Sequence, residues 1–549
     1  MSTHATPLAT TDRTRLLDQL ENDSFDVLII GGGITGAGAA REASLRGLSV
    51  ALVEARDFAS GTSGRSSKLI HGGLRYLAMG DVNLVRETAL ERKRLHGLAP
   101  HLAEPLWMLA PARSRAGLLK FRTAISLYEK LGAVEEHDRH RNWQAAELEQ
   151  NEPCLNQDTY RYACAYREYL TDDVRLVLAN LRDATRRGAS AANHLAVEKI
   201  LHENDNVAGV IARCALTKRE ISIRAKSVVN AAGPWIERLM ELDEGKATSR
   251  LHLSKGVHIV VDRNRLPVRN LVIMGTEDRR TIFAIAKGDS VYLGTTDTSY
   301  PSSATVWPSV DLADVEYLLA PTTKTFKIDP LGPQDVVGAW SGLRPLIAQQ
   351  GKEAKEISRR DEIWVSDSKL VTIAGGKLTG YRRMAEDVID RAVEVADGLS
   401  NSPGAKSQTE EEPLPGGDFA GDLSTLATGL IQQHGVSEAC ADRLVRLFGC
   451  EASDVVSLGP EPVVEGGSVI SGEIEWAVEK EAAATLEDVV YRRTRAALYS
   501  ARECRKLIEP VSLELQARLG WNDAERCEQV EGVRARLASD LSFTSEPSD

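Results

Sequence analysis

The chain has 549 residues, 42% of them hydrophobic and 27% charged, with a net charge of -12. That length predicts two or three domains, and that composition predicts an ordinary packed core in place of disorder. The acidic balance argues against nucleic acid as the main partner, because neutralising phosphates takes an excess of Lys and Arg. The seven cysteines are scattered with no CxxC pair, so no zinc or iron–sulfur site and no other metal is expected, and the thiols read as reduced and cytoplasmic. No secretory leader stands at the N-terminus, and no run of about 18 apolar residues appears, so any meeting with a membrane is expected at its surface.

In chain order, residues 1–23 read as a loose arm with a short helix from Arg13 to Leu20. Asp26 to Ile30 is a short apolar run ending in glycines, which predicts a buried parallel strand. A Gly-rich turn, an Ala-rich helix to Leu45 and a second strand, Ser49 to Val53, complete a βαβ unit. Residues 60–80 are rich in Gly, Ser and basic side chains, and 81–150 read as mainly helical. Strand patterns follow at His194–Leu201, Val207–Ala215, Ile221–Ala225, Val257–Val261, Thr281–Ile285 and Ser290–Leu293, and predict an antiparallel substrate-domain sheet. Lys369 to Ala374 is another strand, with Gly375-Gly376 and a helix to Asp397 behind it. Gly398 to Gly417, with its acidic run Glu410 to Glu412, reads as a linker. Residues 418–545 read as helical, with apolar periodicity in Leu423–Ile431, Ala439–Leu447 and Glu473–Ala501, and the tail from Phe543 as frayed.

Gly31, Gly33 and Gly36 form G-x-G-x-x-G between the first strand and helix. The first allows the tight turn, the second lets backbone approach a pyrophosphate, and the third lets helix and strand pack closely. The pyrophosphate then rests on the helix N-terminus. Glu54, at the end of the second strand, suits a ribose hydroxyl and disfavours a 2′-phosphate. FAD and NAD share this fingerprint. Two further Gly turns, at Gly233 after a strand and at Gly375-Gly376-Lys377 before a helix from Thr379, suit a chain that leaves a flavin and returns to it. A helix N-terminus there would stabilise negative charge on a reduced flavin.

The segments Ser66-Ser-Lys-Leu-Ile-His71-Gly-Gly-Leu-Arg75-Tyr76, Asp172 to Asn180, Lys255-Gly-Val-His258, Gly294-Thr-Thr-Asp297, Ser341-Gly-Leu-Arg344-Pro-Leu346 and Gly375-Gly-Lys-Leu-Thr379 resemble, in order, signatures of the FAD-dependent glycerol-3-phosphate dehydrogenases of the aerobic, respiratory type. The likeness runs from about residue 24 to 390, and more thinly to Glu487–Arg493. It implies an α/β (overall α+β) chain of the D-amino-acid-oxidase superfamily. The expected parts are a Rossmann-like FAD-binding domain (24–95, 150–235, 340–397), an interleaved antiparallel-sheet substrate domain (about 96–149 and 236–339), a linker (398–417) and a helical C-terminal cap (418–549).

A phosphate monoester with a secondary alcohol needs a shaped cation, a base and a hydride acceptor. Arg75 and Arg344 are the phosphate candidates, since a guanidinium fork matches phosphate oxygens. By resemblance, Tyr76 and Thr296 add hydrogen bonds. His258 is the candidate base, its ordinary pKa suiting neutral pH, with Lys377 as a rival that could hold the developing alkoxide. Ser67, His71, Leu378 and Thr379 are placed at the cofactor. The implied reaction takes the C2 hydroxyl proton of sn-glycerol 3-phosphate while hydride moves from C2 to flavin N5, giving dihydroxyacetone phosphate, with ubiquinone or menaquinone as acceptor. The alternatives are an oxidase that reduces oxygen, a flavin amine or hydroxy-acid oxidase, and a flavin-bound scaffold or regulatory protein. Residues 113–131 read as a basic amphipathic segment, with Leu118, Leu119, Phe121, Ile125 and Tyr128 toward lipid and Arg115, Lys120 and Arg122 toward headgroups. The expected location is the inner face of the cell membrane, peripherally bound, with a homodimer as the candidate assembly.

Overall fold

The computed structural model describes residues 7–72, 82–246, 249–349, 360–396, 399 and 406–543. Among these, two sheets carry the molecule. The first has the order Asp361–Val365, Val371–Gly375, Glu220–Asn230, Ser24–Ile30, Val50–Val53, Ser190–Ala192. Its last five strands run parallel, with Ile30 opposite both Asn230 and Val53. Such strands are buried on both faces, which is why Val27 to Ile29 and Val50 to Leu52 are continuous apolar runs. The helices Ile34–Leu45, Asp173–Arg186 and Tyr381–Val395 cover one face. Gly38 permits their close approach, since a Cβ there would sit 2.9 Å from the Tyr381 ring.

The second sheet is built around the long strand Leu251–Asp262, which pairs antiparallel with Val336–Ile347 on one side and with Ser290–Gly294 and Thr298–Ser299 on the other. It continues through Thr281–Lys287, Leu271–Gly275, Glu104–Ala112 and Tyr162–Leu170 to Leu69–Ile70. Three expectations are corrected here. The segments from His194 to Ala225 do not join this sheet. Leu195–Glu203 and Asn206–Cys214 form a hairpin paired to Glu220–Asn230, an extension of the parallel sheet. Residues 81–150 are only partly helical, because Glu104–Ala112 is a strand zipped to Tyr162–Leu170. The arm is not loose over its described residues: Arg13–Asn22 is a helix whose Leu16, Leu17 and Leu20 are buried, each such burial contributing roughly 1.5–3 kcal/mol.

The acidic run at 410–412 is docked, Glu410 on Arg382 and Arg94 and Glu412 on Arg187, and Leu414 is buried. Beyond it, Leu423–His434, Glu438–Phe448 and Ala452–Leu458 form a helical cluster of their own. The expected periodic stretch 473–501 is broken at Ala482 and Arg495, both in the left-handed region with φ of 54° and 65°. These breaks turn Arg492, Arg493 and Arg495 inward. Asp57, just past the second parallel strand, accepts from Arg492 at 2.5 Å, from Arg493 at 2.8 and 2.9 Å, and from Asn193 at 2.9 Å. The C-terminal region is thus fastened to the dinucleotide sheet by buried charge.

Candidate active site

The parallel strands end at Ile30, Val53, Asn230 and Gly375 around one cleft of about 1910 Å³. That is well above the roughly 300–1,000 Å³ of an ordinary small-molecule pocket, and leaves room for a dinucleotide and a small substrate together. Gly31 has φ +117°, and a Cβ on it would strike the Ala231 carbonyl. A Cβ on Gly36 would strike the Gly31 carbonyl, so the helix sits directly on the turn. Gly33 caps the helix in extended conformation and faces the cleft. Ser63 Oγ accepts the Ile34 N–H at 2.9 Å, and the Glu54 carboxylate accepts the N–H of Gly32 at 2.7 Å and of Arg56 at 2.9 Å. The cradle, the helix N-terminus and the acid fit a dinucleotide.

Gly233, Gly375, Gly376, Lys377, Leu378 and Thr379 line the same cleft from two other strand ends. Gly375 and Gly376 both have positive φ, 79° and 78°, and a Cβ on either would meet backbone or the Met384 side chain. Thr379 Oγ1 accepts the His71 N–H and donates to the His71 carbonyl, both at 3.1 Å. The turn before helix Tyr381–Val395 is therefore tied to the loop that carries Ser67 and His71.

The opposite wall is the strand pair 251–262 and 336–347. Gly256 makes room for Arg344, whose guanidinium lies where a Cβ would project, and Gly294 does the same for the His258 ring. Arg344 donates to Thr295 Oγ1 at 2.9 Å, to the Thr296 carbonyl at 3.2 Å and to Asp297 at 3.3 Å. Asp297 is itself held by the Ser254 hydroxyl at 2.5 Å. His258 is buried, with Nε2 on Ser67 Oγ at 2.9 Å and the ring stacked on Trp340 at 4.9 Å. Burial, with the cations of Arg344 and Lys68, pushes the His258 pKa well below its ordinary value. The imidazole is therefore neutral near pH 7. A neutral imidazole and an anchored guanidinium thus face one dinucleotide cleft.

Residues 26–380 match the family described as FAD dependent oxidoreductase, and residues 407–526 match the C-terminal domain of alpha-glycerophosphate oxidase. Aerobic glycerol-3-phosphate dehydrogenase of Bacillus subtilis is 36% identical over 538 residues, covering 96% of this chain and 97% of that one. The Staphylococcus aureus enzyme of the same name is 36% identical over 511 residues, covering 90% and 91%. A glycerol-3-phosphate dehydrogenase from Bacillus halodurans, solved with FAD, superposes with a TM-score of 0.81 at 32% identity, over 98% of this chain and all of that one. The chain belongs to the aerobic glycerol-3-phosphate dehydrogenases. Its cofactor is FAD. An L-alpha-glycerophosphate oxidase from Mycoplasma pneumoniae, at 17% identity and a TM-score of 0.52, shares the fold alone.

Within this dehydrogenase, eleven of the residues expected at the cofactor line the cleft, and Gly36 acts one layer behind, through packing. Thr296 is not brought to the cleft. It is buried, and its hydroxyl accepts the Val257 N–H at 3.0 Å, while its neighbour Thr295 faces Arg344. Arg75 and Tyr76 lie outside the described residues. The amphipathic segment is a helix, Arg115–Leu131, but Ile125 and Tyr128 point into the core and are 0% and 1% exposed. Tyr128 accepts the Gly72 N–H at 3.0 Å and donates to Glu168 at 2.8 Å. Leu119 and Leu127 are the exposed apolar residues, at 60% and 47%. Sequence reasoning also missed Ser63, Thr295, Asp297 and Trp340.

Proposed function

We propose that this dehydrogenase oxidises sn-glycerol 3-phosphate to dihydroxyacetone phosphate and delivers the electrons to a membrane quinone, ubiquinone or menaquinone. The observation that carries the substrate reading is the pairing, on adjacent strands, of a neutral buried imidazole with a guanidinium held by Thr295 and Asp297. In this reading Arg344 receives the phosphate, which converts substrate binding into orientation of C2. Arg75 and Tyr76 complete the phosphate contacts. His258 accepts the C2 hydroxyl proton, and Lys377, at the cleft wall, holds the alkoxide as it forms. Bound FAD supplies the hydride acceptor, taking the C2 hydride at flavin N5.

The acceptor reading rests on the apolar part of the cleft's lining. Met108, Phe121, Ala124, Leu127, Ile273 and Phe283 belong to it, and would give a lipophilic quinone an apolar approach. Beside it the exposed Leu119 and Leu127, with Arg115, Lys120 and Arg122, would rest on the inner leaflet. No helix among the described residues is long and apolar enough to cross a membrane. An oxidase reading is favoured by the match of residues 407–526 alone, and differs only in the step that reoxidises the cofactor. Stopped-flow reduction with C2-deuterated substrate tests the hydride step, with a slowing of several-fold expected and no slowing counting against it. Mixing the substrate-reduced enzyme with a soluble quinone or with air tests the acceptor. Fast reoxidation by quinone and slow reoxidation by air supports the dehydrogenase; fast peroxide formation in air supports the oxidase.

A further inference from the structure

Lys68 takes no part in the chemistry above. It is fully buried, and its φ of 55° lies in the left-handed region, a costly place for a residue with a Cβ. A buried ammonium is also costly unless it is well paired. Both costs are met by the same contacts. Nζ donates to the Asp173 carboxylate at 3.0 and 3.1 Å and to the Gly64 carbonyl at 3.4 Å, and it lies 4.9 Å from the centre of the Trp340 ring. Trp340 is the ring on which His258 stacks, its plane within 12° of the imidazole. The preceding residue is Ser67, whose hydroxyl holds His258 Nε2. Lys68 therefore reaches His258 twice, through an indole by its side chain and through Ser67 by its backbone.

The segment is pinned from every side. Ser66 donates its N–H and hydroxyl to Asp173 at 3.1 and 2.7 Å. Tyr292 donates to the Ser67 carbonyl at 3.0 Å, and Trp340 Nε1 to the Ser66 carbonyl at 3.3 Å. Arg495, from the C-terminal region, donates to the Asp173 carboxylate at 2.7 Å and to the Gly64 carbonyl at 3.2 Å. One carboxylate thus serves Ser66, Lys68 and a residue 322 positions further along the chain.

We propose that Lys68, anchored by Asp173, is a positioning residue for His258: it holds the Ser67 hydroxyl on Nε2 and keeps positive charge behind Trp340, so that the imidazole meets each substrate as a proton acceptor. This inference rests on the reading of His258 as the base.

The groups facing His258 are Arg344 from strand 336–347, Lys68 from the segment before Leu69, and the Tyr292 phenol from strand 290–294. Behind them lie Asp172, Asp173, Lys287, Arg495 and the Tyr499 phenol. Burial and Arg495 push the Lys68 ammonium down to about 7, against the pull of Asp173 and Asp172. Lys68 is therefore charged throughout the acidic range in which His258 takes up its proton. Removing that charge makes the imidazolium easier to form and moves the acid limb of the rate to higher pH.

The test is stopped-flow flavin reduction by saturating sn-glycerol 3-phosphate as a function of pH, on FAD-loaded protein. Lys68→Met is expected to raise the acid limb by about one pH unit, and Lys68→Arg and Arg495→Gln, which both keep a cation at position 68, to leave it near wild type. An acid limb in Lys68→Met that superimposes on wild type overturns the inference, and so does an equal shift in Lys68→Arg. If Lys68→Met does not fold, Lys68→Gln, which removes the charge but keeps a polar head for Asp173, decides alone: a raised limb supports the inference and an unmoved one overturns it. His258→Gln separates the two levels of the argument. A limb that survives in His258→Gln removes the base assignment and this inference with it. A limb lost in His258→Gln but unmoved in Lys68→Met overturns this inference alone.

Discussion

Replacing Arg344 by Met is the perturbation whose size follows most directly from the cleft wall. The guanidinium is fixed by Thr295, Thr296 and Asp297, with a side chain 17% exposed, so little ordering remains to be done when a phosphate arrives. A hydrogen bond to a charged partner is worth about 1.5–3 kcal/mol, and a forked pair therefore about 3–6 kcal/mol. At about 1.4 kcal/mol per tenfold, that predicts a loss of roughly 10²–10⁴ in kcat/KM. Truncation also takes the Arg344 cation from beside Asp297, 9% exposed, so that the carboxylate repels the substrate's phosphate more strongly and the expected loss falls in the upper half of that range. Arg344→Lys keeps the charge and loses the fork, for a smaller loss of about 10- to 100-fold. The assay is kcat/KM for sn-glycerol 3-phosphate with a soluble quinone, on protein whose FAD content and melting temperature match wild type. An Arg344→Met enzyme within about threefold of wild type would refute the assignment of this wall to the phosphate.

Gly36→Ala places a Cβ against the Gly31 carbonyl; the variant should lose most of its FAD, read as flavin absorbance per protein, and retention of full FAD would show that the helix can shift off the turn. Arg493→Met breaks the pair with buried Asp57, a loss of about 3–5 kcal/mol that a fall in melting temperature reports. Burial pushes the Asp57 carboxyl up, but Arg493 and Arg492 outweigh it and hold it below the ordinary value. The stability it contributes is therefore present above the unfolded-state pKa near ~3.9 and is lost as pH falls through the folded one, and Arg493→Met should flatten this acid dependence. Replacing Leu119 and Leu127 by Gln, with Arg115, Lys120 and Arg122 by Gln, should abolish sedimentation with anionic vesicles if the helix Arg115–Leu131 rests on lipid; undiminished sedimentation counts against that face.

The dinucleotide half of the site was legible because its requirements fall on the backbone. Gly31 and Gly36 are glycines for want of space, and a strand ending in such a turn carries its own signature. The substrate wall was legible only in part. In Gly294-Thr-Thr-Asp297 neighbouring residues face opposite ways, so Thr295 takes Arg344 while Thr296 turns to the Val257 N–H. Nothing in local spacing says which of the two does which. Ile125 and Tyr128 fit a lipid-facing stripe as well as a core-facing one, and only the packing of helix Arg115–Leu131 on the second sheet decides between them. The strand Glu104–Ala112 owes its conformation to its partner Tyr162–Leu170, a tertiary pairing that propensity does not contain. Lys68 and Asp173 lay within recognisable segments, but their contact spans 105 positions and Arg495 joins them from 322 away.

The central claim is that this cleft holds FAD and reads a phosphate beside a secondary alcohol. An anaerobic titration of the purified yellow protein with sn-glycerol 3-phosphate, followed by flavin absorbance, tests it most directly. Bleaching by this substrate, and not by glycerol or lactate, is the predicted result. An FAD-loaded protein that stays yellow, or that bleaches as readily with lactate, would contradict it.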